Sequence, residues 1–270
     1  MERIKLAIDR ARQQAGAAYS PAWTPAAAAS QGIAEPEPAA VPVDLVTLDP
    51  VHLERHRIVT LEQDNPLRQP FDLLRTQVLQ KMAEHGWRTI AVTSPSMQSG
   101  KTMVAINLAL SIAHHPARTA LLVDFDLRRP DVASYLGLAG GDTLSEVLAG
   151  KADLRSAIVH AGLPGFLVLP TRRKVPGASE VLASERVTKI ISTLRDDHPE
   201  RVIVIDLPPV TVVDDVIAVL PRVDCVLLVV GNGSSTKQQV DETRRHLARF
   251  NLLGVVVNKV AGPATSQGYY

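Results

Sequence analysis

Runs of aliphatic and β-branched residues recur along the chain from position 88 onward: 88–93 (RTIAVT), 119–124 (TALLVD), 166–169 (FLVL), 201–206 (RVIVID), 225–230 (CVLLVV) and 252–258 (LLGVVVN). Their apolar positions are consecutive rather than alternating, which predicts strands buried on both faces. Between them, apolar residues return at helical spacing over 102–113, 178–195, 215–220 and 237–250. Strands alternating with helices predict an α/β fold, a doubly wound and mostly parallel sheet, with ligands at the carboxyl ends of the strands. The region before residue 44 is different in kind. Residues 1–14 carry Ile4, Ile8 and Ala11 at helical spacing among Arg3, Lys5, Asp9 and Arg10, which predicts a short amphipathic helix with a basic bias. Residues 15–43 are Ala/Pro-rich, with Pro21, Pro25, Pro36, Pro38 and Pro42, and read as a linker. The expected organisation is therefore helix 1–14, linker 15–43, globular domain 44–258 and C-terminal tail 259–270.

Composition narrows the functional classes. Among 270 residues, 46% are hydrophobic and 21% charged, enough for a buried core. Lys and Arg number 29 against 28 Asp and Glu, so the balance argues against nucleic acid as a general electrostatic partner. The single cysteine, Cys225, excludes an internal disulfide and a cysteine metal cluster. The apolar run 104–113 is interrupted by Asn107 and Ser111 and falls short of the ~20 residues that span a bilayer. With no apolar leader visible near Met1, the expected location is cytoplasmic.

The chemistry concentrates at three predicted strand ends. After RTIAVT comes Ser94-Pro95-Ser96-Met97-Gln98-Ser99-Gly100-Lys101-Thr102 and then a helix. The closing Gly-Lys-Thr is the second half of a phosphate-binding P-loop, although Pro95 stands where its first glycine belongs. Backbone N–H groups over Gln98, Ser99, Gly100, Lys101, Thr102 and Met103 are positioned to cradle phosphates, Lys101 to reach the β/γ-phosphates and Thr102 to hold Mg²⁺. TALLVD opens Asp124-Phe125-Asp126-Leu127-Arg128, and RVIVID ends at Asp206. One strand-end aspartate is explained by helix capping, three are not; a nucleotide with Mg²⁺ explains all of them.

LLVDFDLRRP and IDLPPV together resemble the Walker A′ and Walker B elements of the bacterial tyrosine kinases, in particular their cytosolic CpsD/CapB-like members. The resemblance runs from about residue 66 to the C-terminus and implies a P-loop NTPase fold of the MinD/ParA-like type. It implies ATP and Mg²⁺ as cofactors, with Lys101 and Thr102 on phosphate and metal and Asp126 and Asp206 placing the metal. It further implies Asp124 as acceptor of the tyrosine proton, Arg128 as part of the catalytic D-x-D-x-R motif and Asn258 at the adenine. The phosphoacceptors would be Tyr269 and Tyr270, on a tail that can extend about 40 Å from Asn258 at ~3.3–3.6 Å per residue. The implied function is ATP-dependent tyrosine autophosphorylation regulating capsule or exopolysaccharide polymerisation and export. The implied partners are a membrane-anchored, Wzz-like polysaccharide co-polymerase, through its cytoplasmic tail, and further copies in a homo-oligomer, with recruitment to the inner face of the membrane.

The chain departs from that family at three places. Met97-Gln98 replaces a common Pro-Gly. The oligomerisation pattern E-x-x-R-x-x-R is reduced to Arg75 within residues 69–75, and the tyrosine cluster is short. A rival of another class is a nucleotide-switched scaffold resembling MinD/ParA ATPases, which place a signature lysine where Ser96 stands. A third reading is a weakly catalytic nucleotide-sensing regulator. Elsewhere, His52 and His56 share metal-ligand spacing but lack a third ligand, Arg172-Arg173-Lys174 reads as a solvated basic turn, and His114-His115 should finish a helix before Pro116.

Overall fold

In the computed structural model, residues 45–260 are described, Val213 excepted. The expected helix 1–14, linker 15–43 and tail tyrosines 269 and 270 lie outside the described residues. The strands are β1 (Leu45–Val46), β2 (Thr89–Thr93), β3 (Thr119–Asp124), β4 (Val159–Ala161), β5 (Phe166–Leu169), β6 (Arg201–Asp206), β7 (Cys225–Gly231) and β8 (Leu252–Asn258). They form one sheet in the order β1-β4-β5-β3-β6-β2-β7-β8. Every pairing is parallel except β4 with β5.

The helices are α1 (Pro50–Arg55), α2 (Gln69–His85), α3 (Lys101–Ala113), α4 (Val132–Leu136), α5 (Leu144–Leu148), α6 (Ala178–Ala183), α7 (Glu185–Asp196), α8 (Asp215–Val219) and α9 (Lys237–Leu247). Two cores explain why the strands are apolar throughout. Ile90, Val92, Leu122 and Val204 pack with α1–α4 on one face, whereas Ala91, Leu121, Val123, Ile203 and Ile205 pack with α5–α9 on the other. Successive residues thus enter different cores, as the two-residue strand period demands. Cys225 is buried in the first core, and burial, joined by the Asp224 charge, pushes its thiol up to about 12.

Differences from the sequence pattern have local causes. The single helix expected over 178–195 is two helices, because Ser184 is extended (φ −69°, ψ 155°) and its hydroxyl turns back to donate to Val181 O at 2.6 Å. The helix expected to reach Leu220 stops at Val219, and a 3-10 turn carrying Pro221 follows. The helix expected to reach Phe250 ends at Leu247. His114 caps α3 as anticipated, with Nε2 2.7 Å from Thr60 O.

A segment ahead of α2 is fastened to α3 by one buried side chain. Asn107 Oδ1 accepts from Val59 N (2.8 Å), Thr60 N (3.2 Å) and Thr60 Oγ1 (3.1 Å), while its Nδ2 donates to Arg57 O (3.0 Å) and Met103 O (2.9 Å). Replacing it leaves several buried backbone groups without partners, each costing about 1–3 kcal/mol. Asn107→Ala is expected to lower stability by about 3 kcal/mol in urea unfolding, and a loss below about 1 kcal/mol would mean that this segment is not held by the clamp.

Candidate functional site

The parallel register of β2, β3 and β6 brings the three predicted strand ends together. Asp124 and Asp206 are direct neighbours across β3 and β6, and β2 pairs with β6 so that Val92 lies opposite Asp206. The loop after β2 then turns back over these carboxylates. Lys101 Nζ lies 2.8 Å from Asp126 Oδ2 and 3.4 Å from Asp206 Oδ1. Thr102 Oγ1 donates to Asp206 Oδ2 at 2.6 Å. Helix α3 begins at Lys101 with no side-chain cap, so its first N–H groups, which have no intrahelical partners, are left free to receive an anion.

Electrostatics fit a polyphosphate with a divalent cation. Burial disfavours the Lys101 ammonium, but Asp206 and Asp126 outweigh it and hold the lysine above its ordinary range. Burial also raises Asp206; Lys101 and Thr102 oppose that, leaving it at about 6. Asp124 is pushed well above the usual carboxylate range by burial and then by the Asp206 charge. One ammonium faces three carboxyl groups, an imbalance a cation would correct. Among the described residues no three His, Cys, Asp or Glu side chains form a ligand cluster. The available donor set is Thr102 with one or two carboxylates, which suits Mg²⁺ sharing its shell with phosphate and water.

The missing P-loop glycine is replaced by a hydroxyl network. Ser96 Oγ donates to Ser234 O (2.9 Å) and lies 3.1 Å from Ser99 Oγ and 2.8 Å from Ser235 Oγ. Ser94 and Ser99 both donate to Ser96 O at 2.8 Å. These bonds pin the loop to the turn after β7. Gly231 makes the approach possible, since a Cβ there would stand 2.1 Å from Ser234 Oγ and 3.0 Å from Ser99 Cα. Gln98 occupies the Gly position of the common Pro-Gly and has φ +60°, a conformation that costs a side chain about 1–2 kcal/mol. At Gly100 (φ +86°) a Cβ would lie 2.2 Å from Asn258 Nδ2.

Not every candidate points into the cleft. Asp124 is fully buried; its carboxylate accepts from Asp126 N and Val132 N, both at 3.2 Å. It braces the loop and, like Asp206, is closed off from solvent. Arg128, grouped with the catalytic residues by motif, is elsewhere. Its guanidinium makes a paired bond to Asp215 (2.8 and 3.1 Å) and donates to Ser179 at 2.8 Å, tying the loop after β3 to α6 and α8. Asn258 donates to Ser99 O at 2.9 Å and so reaches the loop from the end of β8. His52 and His56 serve structure: His52 Nε2 lies 2.8 Å from Ser134 O and His56 Nδ1 2.9 Å from His52 O. Asp131 and Tyr135, which line the cleft beside Lys101 and Asp126, and the serine network behind the loop carry no motif, and Arg129, which also lines the cleft, lies within LLVDFDLRRP without a role read for it. They become visible only once the loops converge.

Residues 90–270 match the family described as the CobQ/CobB/MinD/ParA nucleotide binding domain. The chain belongs to this family. Within MinD/ParA-type proteins it is similar to bacterial tyrosine kinases: it is 32% identical over 225 residues to tyrosine-protein kinase Etk of Escherichia coli K12, a match covering 80% of this chain and 31% of Etk. The chain thus spans about a third of the length of that relative. Among solved structures, the kinase domain of Escherichia coli ETK superposes with a TM-score of 0.68 at 32% identity, covering 78% of this chain and 84% of that one. The chimerical protein CapA2B2 superposes with a TM-score of 0.70 at 25% identity, covering 82% and 95%. Among the described residues no helix is long and apolar enough to cross a membrane.

Proposed function

We propose that this chain is an ATP-dependent protein-tyrosine kinase that transfers the γ-phosphoryl group of Mg·ATP to its own C-terminal tyrosines, Tyr269 and Tyr270. The observation that carries the reading is the convergence of Lys101, Thr102, Asp126 and Asp206 on the uncapped start of α3, in a chain similar to tyrosine kinases. Lys101 and the N–H groups from Gln98 to Met103 bind the phosphates. Thr102, Asp126 and Asp206 hold Mg²⁺, which neutralises charge on the transferring group. Asn258 sits at the base end.

Phosphoryl transfer through a loose transition state asks little of a base. A buried, loop-bracing Asp124 is compatible with that, and Asp126 is the carboxylate that lines the cleft. Arg128 acts as a positioning residue through Asp215. Regulation of capsule or exopolysaccharide assembly, with a membrane-anchored co-polymerase tail as activator at the inner membrane face, rests on the family resemblance. Self-association would need a surface other than the usual motif, because Arg75 is engaged with Asp72 and Ser111 O, both at 3.1 Å. The switch-scaffold reading is weakened by Ser96, whose buried hydroxyl is spent on Ser234 O in the turn after β7.

The test is incubation of the full chain with Mg·ATP, with and without candidate cytoplasmic tails, followed by mass-spectrometric mapping. Phosphate is expected on Tyr269 and Tyr270 and absent from the Tyr269→Phe/Tyr270→Phe variant. Vigorous ATP hydrolysis with no phosphotyrosine under any of these conditions would overturn the kinase reading.

A further inference from the structure

The cleft at Lys101 does not end at the loop. Gln98, Gly100 and Tyr135 line both that cleft and an adjoining cavity of about 410 Å³. Asn258 and Met103 also line the cavity, as do Arg55, His56 and Arg57. Those three residues precede the part of the chain that matches the nucleotide-binding family, which starts at residue 90. They stand here because α1 docks on α4 through the His52–Ser134 bond and because Asn107 grips Arg57 O, Val59 N and Thr60 N.

Three features mark this cavity as built to hold a ligand. Among the described residues, the non-glycine residues with positive φ are Arg57 (+58°), Gln98 (+60°) and Lys259 (+60°), and all three line it. Such conformations persist where surrounding structure enforces them, and they gather at ligand clamps. The charged residues in its lining are cationic: Arg55, Arg57 and Lys259. Its aromatic members are already paired, with the His56 ring 4.9 Å from the Tyr135 ring at 49°. A polarisable wall, guanidinium groups and a length continuous with a phosphate site suit a purine nucleoside, whose base has a π face and whose ribose offers hydroxyl acceptors.

We propose that Arg55, His56 and Arg57 form the outer wall of the nucleoside end of the nucleotide site, so that docking of the α1 segment sets nucleotide affinity. The proposal rests on the nucleotide reading of the Lys101 site and deepens it. Nucleotide held between this wall and Asn258 links the segment ahead of α2 to the P-loop. Anything that lifts α1 from α4 loosens the nucleotide without touching a phosphate contact.

The test is calorimetric titration of the full chain with Mg·ADP and with inorganic pyrophosphate, which has no nucleoside. Arg57→Gly is an informative variant because glycine adopts positive φ freely; removal of the guanidinium should leave thermal stability intact or raised. Arg55→Ala/Arg57→Gly is expected to weaken Mg·ADP binding about tenfold while pyrophosphate binding changes less than about twofold. Unchanged Mg·ADP affinity in that variant, with binding lost in Lys101→Met, would overturn the wall and leave the phosphate site standing. Equal weakening of ADP and pyrophosphate would also overturn it, by placing the guanidiniums on phosphate. Failure of the unsubstituted chain to bind Mg·ADP at all would remove the nucleotide reading together with this inference.

Discussion

Lys101→Met is expected to reduce phosphotyrosine formation by about 10³-fold, the scale seen when a fixed donor to developing charge is removed. The same substitution should also change the protein without ligand, because Lys101 is the cation between Asp126 and Asp206. Breaking a buried pair by removing one partner costs about 3–5 kcal/mol. Here the stranded carboxylate has an escape. Asp206 already sits at about 6 with the lysine present, and without it the group rises further and takes a proton. The stability loss should therefore be large at pH 7.5 and smaller at pH 5, measured by urea unfolding without nucleotide or metal. A Lys101→Met protein that loses phosphorylation but unfolds like the parent at both pH values would show that the lysine does not balance these carboxylates in the ligand-free protein.

The second large effect is the pH dependence of the ligand-free chain. The folded state holds the Asp206 proton up to about pH 6, against an ordinary carboxylate value near 3.8. Asp124 is raised as well. Between these limits the native state binds more protons than the unfolded chain, so unfolding free energy falls as pH rises. The Asp206 contribution is thus present at pH 4 and lost by pH 7, and the raised Asp124 acts in the same direction. Asp206 contributes about 2–3 kcal/mol, since each tenfold gain in proton affinity on folding is worth about 1.4 kcal/mol. Asp72 and Asp215 work in the other direction: burial opposes ionisation, but Arg68 and Arg128 hold them below their usual values. Their contribution is present above about pH 4 and lost on further acidification. Subtracting the Asp206→Asn profile from that of the parent, in EDTA between pH 4 and 7, isolates the first effect. A difference profile that is flat, or that climbs with pH, would contradict the burial of this carboxylate. Added Mg²⁺ and nucleotide need Asp206 as an anion, so their stabilisation should grow over the same interval.

The central strands were legible because burial on both faces leaves a continuous apolar run. The bounds of β3, β5 and β6 coincide with the predicted runs, and so do those of the edge strand β8, although its Val255 and Val257 are exposed where the run predicts burial on both faces. The short strands β1 and β4, at one side of the sheet, were not legible: one has two residues, and the other has three with His160 in the middle. Helix α2 also escaped notice, because Val78 and Met82 are its buried residues over 17 positions and the apolar repeat is thin. In the site, Lys101, Thr102, Asp126 and Asp206 follow from strand ends, which parallel pairing must gather at one edge. Side chains recruited across long separations do not. Ser235 reaches Ser96 from 139 positions away, and Arg128 meets Asp215 across 87, pairings that adjacency within a motif does not reveal.

Cys225 has a practical consequence. It is the only thiol in the sequence, is shut inside the first core and is pushed up to about 12, so maleimides and mild oxidants should pass it by. A cysteine introduced at any exposed position would then be the sole reactive handle, and a fluorophore or spin label could report from one chosen spot without first engineering the native residue away.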